Sequence, residues 1–236
     1  MTRIALILLL LALQMGCMET NRAESAKEDN WHTLSSAMRA IGLTINPLYV
    51  YIRCFKQEEL VQAWVSNHPT QNYKLLRNYS FCTNSGTLGP KRKEGDLQIP
   101  EGLYYIDRFN PKSNFHLSMG INYPNDNDLI HGDQSQPGSD IFIHGECSSV
   151  GCIALGNKFI RELYTLAKEA HDQGQPVRVD IFPYKFVSQD STLANVGHEE
   201  HQELWNQLLP FCTTFEQEYV LQEFEMTEDG KYQLAK

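Results

Sequence analysis

Alternation of apolar and polar side chains begins at residue 48 and predicts a β-rich region. In residues 48–55 (LYVYIRCF), Leu48, Val50, Ile52 and Cys54 would share one face of a strand. Similar short segments follow, separated by turn-forming Asn, Gly and Pro, which is typical of antiparallel strands joined by hairpins. The other predicted strands are residues 59–66, 73–82, 103–109, 115–121, 140–144 and 177–182.

Two later segments have the apolar spacing of helices. Residues 157–173 carry an apolar stripe that can begin at an Asn157 cap and ends before Gly174. Helical spacing returns from Leu204 to Tyr219. One central helix and C-terminal helices on a β-rich domain predict a mainly β or α+β fold class.

The N-terminal residues indicate export. Residues 1–16 place Arg3 before an apolar run that is too short to span a bilayer and is typical of a secretory signal peptide. Cys17 follows a small residue, as in a bacterial lipoprotein signal, although Gln14 holds the position at which that signal usually has Leu. We therefore expect an exported protein that is anchored to the membrane through a lipidated Cys17.

Composition shifts divide the rest of the chain. Residues 18–46 are polar and are interpreted as a tether with a short helix at 31–40. Residues 47–186 form the predicted main domain, and residues 187–236 form a C-terminal helical appendage. Within the main domain, residues 122–140 are so rich in Asn, Asp, Ser, Gly and Pro that they predict a long functional loop.

Composition also narrows the class of function. The 236 residues are 42% hydrophobic and 21% charged, which is ordinary for a folded protein. Lys and Arg total 20 against 29 Asp and Glu, and the net charge of −9 argues against nucleic acid as a partner. Of the six cysteines, five remain after Cys17, so at least one thiol lacks a partner within the chain. A free thiol in an oxidising compartment needs a chemical reason.

The densest group of reactive side chains lies in residues 141–155 (IFIHGECSSVGCIAL), where a strand ends at His144 and a Gly- and Ser-rich turn leads to Cys152. Three interpretations stay open on these residues alone. An imidazole beside the thiol would make a cysteine nucleophile for acyl transfer. His144, Cys147 and Cys152, with His131, have plausible zinc spacing. A disulfide between Cys147 and Cys152 would make the segment structural.

Several ordered blocks around this turn resemble the L,D-transpeptidase (YkuD-type) family, and its YafK-like branch in particular. The family motif places a His-Gly before a Ser-x-Gly-Cys, as His144-Gly145 and Ser149-Val150-Gly151-Cys152 do here. The similarity covers about residues 45–225. The further matching blocks are SGTLGPK (85–91), EGDLQIPEG (94–102), FNPKSNFHLSMGINYPN (109–125), the His-Gly at 131–132 and IFPYKF (181–186).

The resemblance implies a role for each motif residue in a β-sandwich-like catalytic domain at residues 47–186. Cys152 matches the nucleophile, which would attack the carbonyl at the L-centre of diaminopimelate in a peptidoglycan stem peptide. His144 matches the general base and acid. Ser149 and Gly151 match the turn expected to stabilise the oxyanion and orient the imidazole. Neither a cofactor nor a metal is implied.

The commonest family motif has a His and an Arg where this chain has Val150 and Ala154. Substrate positioning must therefore come from elsewhere, and the candidates are Tyr123, His131 and His116. Lys91, in the basic triplet 91–93, is a fourth candidate as a contact for a stem-peptide carboxylate.

The remaining cysteines receive structural or protective hypotheses. Cys54 and Cys82 lie on strands that could be neighbours and form a disulfide. Cys147 is expected to be a small, partly buried residue or a resolving thiol that protects Cys152. Cys212 is expected to be buried.

Two functions of different classes follow. The first is a cysteine acyl-transferase whose acyl-enzyme is resolved by an amine or by water. The second is a non-catalytic cell-wall-binding lipoprotein that retains the fold. An activated Cys152 is expected to react with iodoacetamide well below pH 8.5.

Overall fold

The computed structural model describes residues 21–186 and 197–235. The expected signal peptide at 1–16 and Cys17 lie outside these described residues. Helices and a mixed, curled sheet make up the described parts of the chain, which confirms the α+β fold class.

Eight strands form the sheet, in the order β3-β2-β1-β8-β4-β5-β6-β7. Two neighbouring pairs, β1 with β8 and β6 with β7, are parallel, and the other pairs are antiparallel. The sheet turns at β4, whose first half pairs with β8 and whose second half pairs with β5. The strands are β1 (Tyr49–Phe55), β2 (Leu60–Ser66), β3 (Lys74–Ser80), β4 (Gly102–Asn110), β5 (Ser118–Ile121), β6 (Phe142–His144), β7 (Ile153–Ala154) and β8 (Arg178–Phe182).

Strand β1 is buried on both faces, although its sequence alternates. Val50 and Ile52 face one core that includes the long helix α3 (Gly156–Asp172). Tyr51 and Phe55 face the opposite side, where helix α4 (Gln202–Glu218) covers the sheet. The strand tolerates a buried Arg53 there because its guanidinium pairs with Glu216 at 2.6 Å and stacks on aromatic rings.

The segment predicted as a tether is instead part of the domain. Helix α1 (Arg22–Ala40) begins at Asn21, whose side chain accepts a hydrogen bond from the Ala23 amide. Its Leu34 and Met38 are fully buried in the core that α3 also lines. The short helix predicted at 31–40 is the second half of α1. The first half was missed because it has few large apolar residues, although one narrow stripe suffices to bury a helix face.

The C-terminal region is also integrated with the sheet rather than appended to it. Trp205 of α4 is buried and donates its indole N–H to Glu101 at 2.7 Å, and Glu101 in turn pairs with the buried Lys56 at 3.0 Å. A hairpin that the sequence analysis did not predict, β9 (Phe224–Met226) and β10 (Tyr232–Leu234), follows α4.

Two local predictions also differ. Helix α2 (Asp126–His131) interrupts the predicted loop at 122–140 and is held by a capping box between Asn125 and Asp128. Helix α3 begins at Gly156 without a side-chain cap, and the expected cap Asn157 instead accepts a hydrogen bond from the Glu146 amide at 2.8 Å.

Among the residues that the structure describes, no helix combines the length and the apolar character that crossing a membrane requires.

Candidate active site

The parallel pairing of β6 with β7 brings the segments that carry His144 and Cys152 side by side in the sheet. Ile143 lies opposite Ile153, and His144 lies opposite Ala154. Cys152 directly precedes β7, and its Sγ lies 3.4 Å from the amide nitrogen of Phe142, which is two residues before His144 on β6. The two isoleucines are fully buried and fix this register. The turn before Cys152 therefore folds back against β6, the strand that precedes it.

The turn before Cys152 depends on Ser149 and Gly151. The Ser149 hydroxyl accepts a hydrogen bond from the Cys152 amide at 3.1 Å and donates to the Cys152 carbonyl at 2.8 Å. Gly151 has a φ of +85°, in the left-handed region, and a side chain there would also press against the Gln98 carbonyl. These two residues therefore set the backbone direction at Cys152.

His144 is almost fully buried, and its ring is oriented by the residue that follows it. Its Nδ1 lies in hydrogen-bond contact with the Gly145 carbonyl, which can only accept, so Nδ1 carries the proton. Nε2 is then the nitrogen that can take up a proton. The Phe115 ring packs against the imidazole with 4.6 Å between centroids. Burial lowers the pKa of His144, and the Gly145 hydrogen bond opposes this effect.

The Cys152 thiol is half-buried at the edge of β6. Its Sγ accepts a hydrogen bond from the Phe142 amide at 3.4 Å, and the thiol donates to the Asp140 carbonyl at 3.8 Å. Burial raises the pKa of Cys152, although the Phe142 amide and the charge of Lys91 lower it. Both directions favour the uncharged forms of these two groups, the thiol and the neutral imidazole. These directions argue against rapid alkylation well below pH 8.5, which stays a prediction to be tested by labelling.

Ser85 supports the turn from a distant part of the chain. Its hydroxyl accepts a hydrogen bond from the Gly151 amide at 2.8 Å. The same segment reaches the turn twice more, because the Cys82 amide donates to the Ala154 carbonyl at 2.7 Å and Thr83 forms a bridge with Ala154. Sequence reasoning included Ser85 in a family-like block but gave it no role, since contacts across 66 residues have no local signal.

A disulfide between Cys82 and Cys147 ties this segment to the turn. The hypothesis of a disulfide between Cys54 and Cys82 is therefore wrong, and Cys54 is a buried free cysteine. Cys147 is not a resolving thiol or a partner for Cys152 in this structure, because its sulfur is already bonded. Cys212 is buried, as expected, with its sulfur 3.1 Å from the Arg53 guanidinium.

The predicted zinc set does not assemble. Cys147 is committed to its disulfide, and His131 ends α2 and lines a different pocket. Within the described ranges, the one group with metal-ligand spacing is His198, Glu200 and His201, whose ligand atoms lie within 4.8 Å of one another.

Lys91 and Tyr123 are buried and already bonded. Lys91 pairs with Asp96 at 2.7 Å and also donates to the Lys93 carbonyl, so its charge acts on Cys152 from within the protein. Tyr123 donates its hydroxyl to the Pro137 carbonyl at 2.7 Å. Both residues support the loops around the site and have little surface for a substrate.

His116 lies in the turn before β5, not within a strand as expected, with a φ of +72°. It directly follows Phe115, the ring that packs on His144. Burial and the charge of Arg161 lower the pKa of His116. His131 is exposed and lines a pocket whose walls do not include Cys152.

The two departures from the commonest motif differ in environment. Val150 is 68% exposed, so its side chain lies at the surface beside the site. Ala154 is fully buried opposite His144, where a longer side chain has no room. The exposed cation near the thiol is instead Arg108, which lies over the Phe142 ring at 4.8 Å and pairs with Asp140 at 2.7 Å. The sequence analysis did not single out Arg108.

His144 and Cys152 lie within the part of the chain that matches a known catalytic domain. Residues 50–180, more than half of the chain, match the family model described as the L,D-transpeptidase catalytic domain (YkuD). The chain therefore belongs to the L,D-transpeptidase family. It is similar to the protein named "Putative L,D-transpeptidase YafK" of Escherichia coli K12, with 36% identity over 171 residues that cover 71% of this chain and 67% of the relative.

Solved structures with similar folds are more distant. The helical cell shape determining protein Pgp2 from Campylobacter jejuni matches 77% of this chain with 20% identity and a TM-score of 0.47. Bdellovibrio bacteriovorus Bd1075 matches 71% with 21% identity and a TM-score of 0.41. This chain spans 64% of the first and 57% of the second.

Proposed function

We propose that this protein is a cysteine acyl-transferase that acts on peptidoglycan stem peptides. Cys152 would attack the carbonyl at the L-centre of diaminopimelate and form a thioacyl-enzyme. The observation that supports the proposal is the β6–β7 pairing, which sets the segments of His144 and Cys152 side by side in a chain of the L,D-transpeptidase family.

The resting pair is neutral, so proton transfer accompanies attack. As Sγ bonds to the carbonyl carbon, its proton moves to Nε2 of His144 and the carbonyl electron pair moves to oxygen. The Nδ1–H of the imidazolium still donates its hydrogen bond to the Gly145 carbonyl, and this bond stabilises the charged ring. A buried histidine with a lowered pKa is deprotonated at neutral pH and is therefore ready to accept that proton.

Collapse of the tetrahedral intermediate breaks the carbon–nitrogen bond, and His144 returns its proton to the leaving amine. The thioester is then attacked by an amine, which gives a crosslink or attaches a protein to the wall, or by water, which gives hydrolysis. In both outcomes His144 takes the proton of the incoming group and the Cys152 thiol is regenerated. No step requires a cofactor.

Charge on the intermediate's oxygen is stabilised by the turn at 149–152. The amides of Gly151 and Cys152 donate to the hydroxyls of Ser85 and Ser149 in the resting site. These amides and hydroxyls are polar groups in the turn that carries the nucleophile, and we propose that they also interact with the oxyanion when it forms, while their own contacts keep the turn in place. Arg108, exposed beside Asp140, is the cation that we assign to a stem-peptide carboxylate.

Location follows from the same proposal. A peptidoglycan substrate requires export, which the signal-like residues 1–16 support, and a lipidated Cys17 would anchor the protein to the membrane of the cell envelope. Stem peptides are then the partners.

The test is incubation of purified protein with muropeptides of defined length, followed by mass analysis. A crosslinked product shows resolution by an amine, and a shortened one shows resolution by water. Cys152→Ser and His144→Ala should abolish both products. Ser148→Ala, an exposed residue of the same turn, should retain activity and serves as the matched control.

A further inference from the structure

A second pocket, of about 230 Å³, lies between the loop that carries Arg92, helix α2 and the start of α4. Its walls include Asn127 and His131 of α2 and Glu200, His201 and Glu203 at the start of α4. Leu204 is the single apolar side chain among the lining residues. A polar pocket of this size suits a small charged ligand rather than a large apolar one.

Two buried polar atoms of this lining have no hydrogen-bond partner within the described structure. One is the donor Nη1 of Arg92, and the other is the acceptor Oδ1 of Asn127. Asn127 is 1% exposed, and its amide nitrogen donates to the Gly230 carbonyl at 2.8 Å, which fixes its oxygen as the unused atom. Leaving such groups unpaired in the protein interior destabilises the folded state. A buried donor and a buried acceptor in one pocket are a reason to look for a ligand.

The pocket also has an acid that is available for a cation. Glu200 is 65% exposed, and its ion-pair contact is the His201 ring at 3.4 Å. Glu203, in contrast, is already paired with Lys231 at 2.9 Å. The pocket thus presents a guanidinium for a carboxylate, and an amide oxygen and a carboxylate for an ammonium group.

We propose that this pocket binds the α-amino-acid end of a ligand. The ligand's carboxylate would contact Arg92, and its ammonium group would contact Asn127 and Glu200. The site is separate from the nucleophile, since Cys152 is not among its lining residues. The inference therefore goes beyond the proposed function and does not depend on it. The ligand is either a free amino acid or a peptide that carries an amino-acid head group at one end.

The loop of Arg92 also links the pocket to the catalytic residues. Lys91 directly precedes Arg92 and acts electrostatically on Cys152. The Arg92 amide and Lys91 Nζ both bond to the Asp96 carboxylate, at 2.7 Å each. The Asp96 carboxylate therefore connects the backbone of the Arg92 loop to Lys91.

Calorimetric titration of the full chain tests the site, with EDTA present so that metal binding at His198, Glu200 and His201 does not contribute. The probes are D-alanine, a stem tripeptide that ends in diaminopimelate, N-acetyl-D-alanine, which lacks the ammonium, and D-alaninamide, which lacks the carboxylate. We expect D-alanine or the tripeptide to bind, and the tighter of the two identifies the source. Each truncated probe should bind at least tenfold more weakly than D-alanine.

Variants assign the two halves of the ligand. Arg92→Gln should weaken D-alanine at least tenfold and leave D-alaninamide unchanged, whereas Glu200→Gln should weaken D-alanine and leave N-acetyl-D-alanine unchanged. Lys93→Gln removes the same charge from the same loop outside the pocket and should change Kd less than twofold. Because Glu200 is exposed, its variant remains informative if Arg92→Gln does not fold.

Cys152→Ser should bind with unchanged Kd, which separates this site from the nucleophile. The proposal would be overturned if neither D-alanine nor the tripeptide bound at roughly 10 mM, a concentration at which even weak binding is detected. Equal binding by the wild type, Arg92→Gln and Glu200→Gln would also overturn it. Neither result would bear on muropeptide turnover by Cys152.

Discussion

The amide of Gly151 donates to the hydroxyl of Ser85 at 2.8 Å, and Gly151 directly precedes the thiol residue Cys152. The contact joins residues that are 66 positions apart. It holds the turn in the left-handed conformation that Gly151 adopts and thereby sets the position of the nucleophile.

Replacement of Ser85 tests that relationship. Ser85→Ala should lower kcat by roughly ten- to a hundredfold with little change in KM, since small displacements of a nucleophile are costly in rate. Ser85→Thr keeps the hydroxyl and should restore most of the activity. Steady-state kinetics on a muropeptide provides the measurement, with Ser148→Ala as the control. Equal activity of Ser85→Ala and wild type would show that the contact does not position Cys152.

The disulfide between Cys82 and Cys147 should stabilise the same turn. Cys82→Ser/Cys147→Ser should lower the free energy of unfolding by about 2–4 kcal/mol, because the bond closes a long loop in the unfolded chain. Urea unfolding with and without reductant measures the effect. Reductant should destabilise the wild type. It should leave the double variant unchanged, because Cys54 and Cys212, which that variant keeps, are free cysteines. An equal response of both proteins would contradict the assignment.

The neutral state of Cys152 and His144 predicts a particular pH dependence. Burial raises the pKa of Cys152, so the thiolate fraction and the rate of iodoacetamide labelling should rise with a midpoint above that of free cysteine. His144→Ala should leave this midpoint nearly unchanged, because no imidazolium stabilises the thiolate at rest. Labelling of Cys152, followed by peptide mass analysis, provides the readout. A midpoint below 8.5 that His144→Ala raises would indicate a thiolate–imidazolium pair instead.

Asp128 should make the fold less stable as pH rises. Burial raises the pKa of its carboxyl to about 7, so the folded state holds this proton more tightly than the unfolded chain does. The stability that protonation contributes is complete below about pH 4 and is lost as pH rises through about 7. Relative to Asp128→Asn, the wild type should lose up to about 4 kcal/mol across this window, at about 1.4 kcal/mol per pKa unit.

Urea unfolding from pH 4 to pH 8 measures this difference. Asp126→Asn, an exposed residue of the same helix, should show no such trend. A difference between wild type and Asp128→Asn that stays constant with pH would contradict the raised pKa.

Short-range patterns predicted much of the fold. Each of the seven predicted strands overlaps a strand of the sheet, because alternation and turn residues are local signals. The very short β7 could not be found this way, since it pairs with β6 through only two residues. Helix α1 was underestimated because its buried stripe is narrow, and α2 because its polar composition reads as loop.

The part of the candidate site that the sequence predicted is the part whose residues are close together in the chain. His144, Ser149, Gly151 and Cys152 lie within nine residues, and the family-like blocks draw attention to them. Contacts between distant segments were missed, as the Cys82–Cys147 disulfide shows. The five cysteines after Cys17 allow several pairings, and the sequence alone does not choose among them.

Trapping of the acyl-enzyme tests the central claim most directly. Purified protein is mixed with a stem tetrapeptide, quenched in acid within seconds, and weighed by intact mass spectrometry. The account predicts an added mass equal to the tetrapeptide less its last residue and water, mapped to Cys152, absent from Cys152→Ser and formed far more slowly in His144→Ala. Turnover without this adduct, or turnover that Cys152→Ser retains, would contradict a thioacyl mechanism. The absence of both turnover and adduct would favour a wall-binding protein that retains the fold.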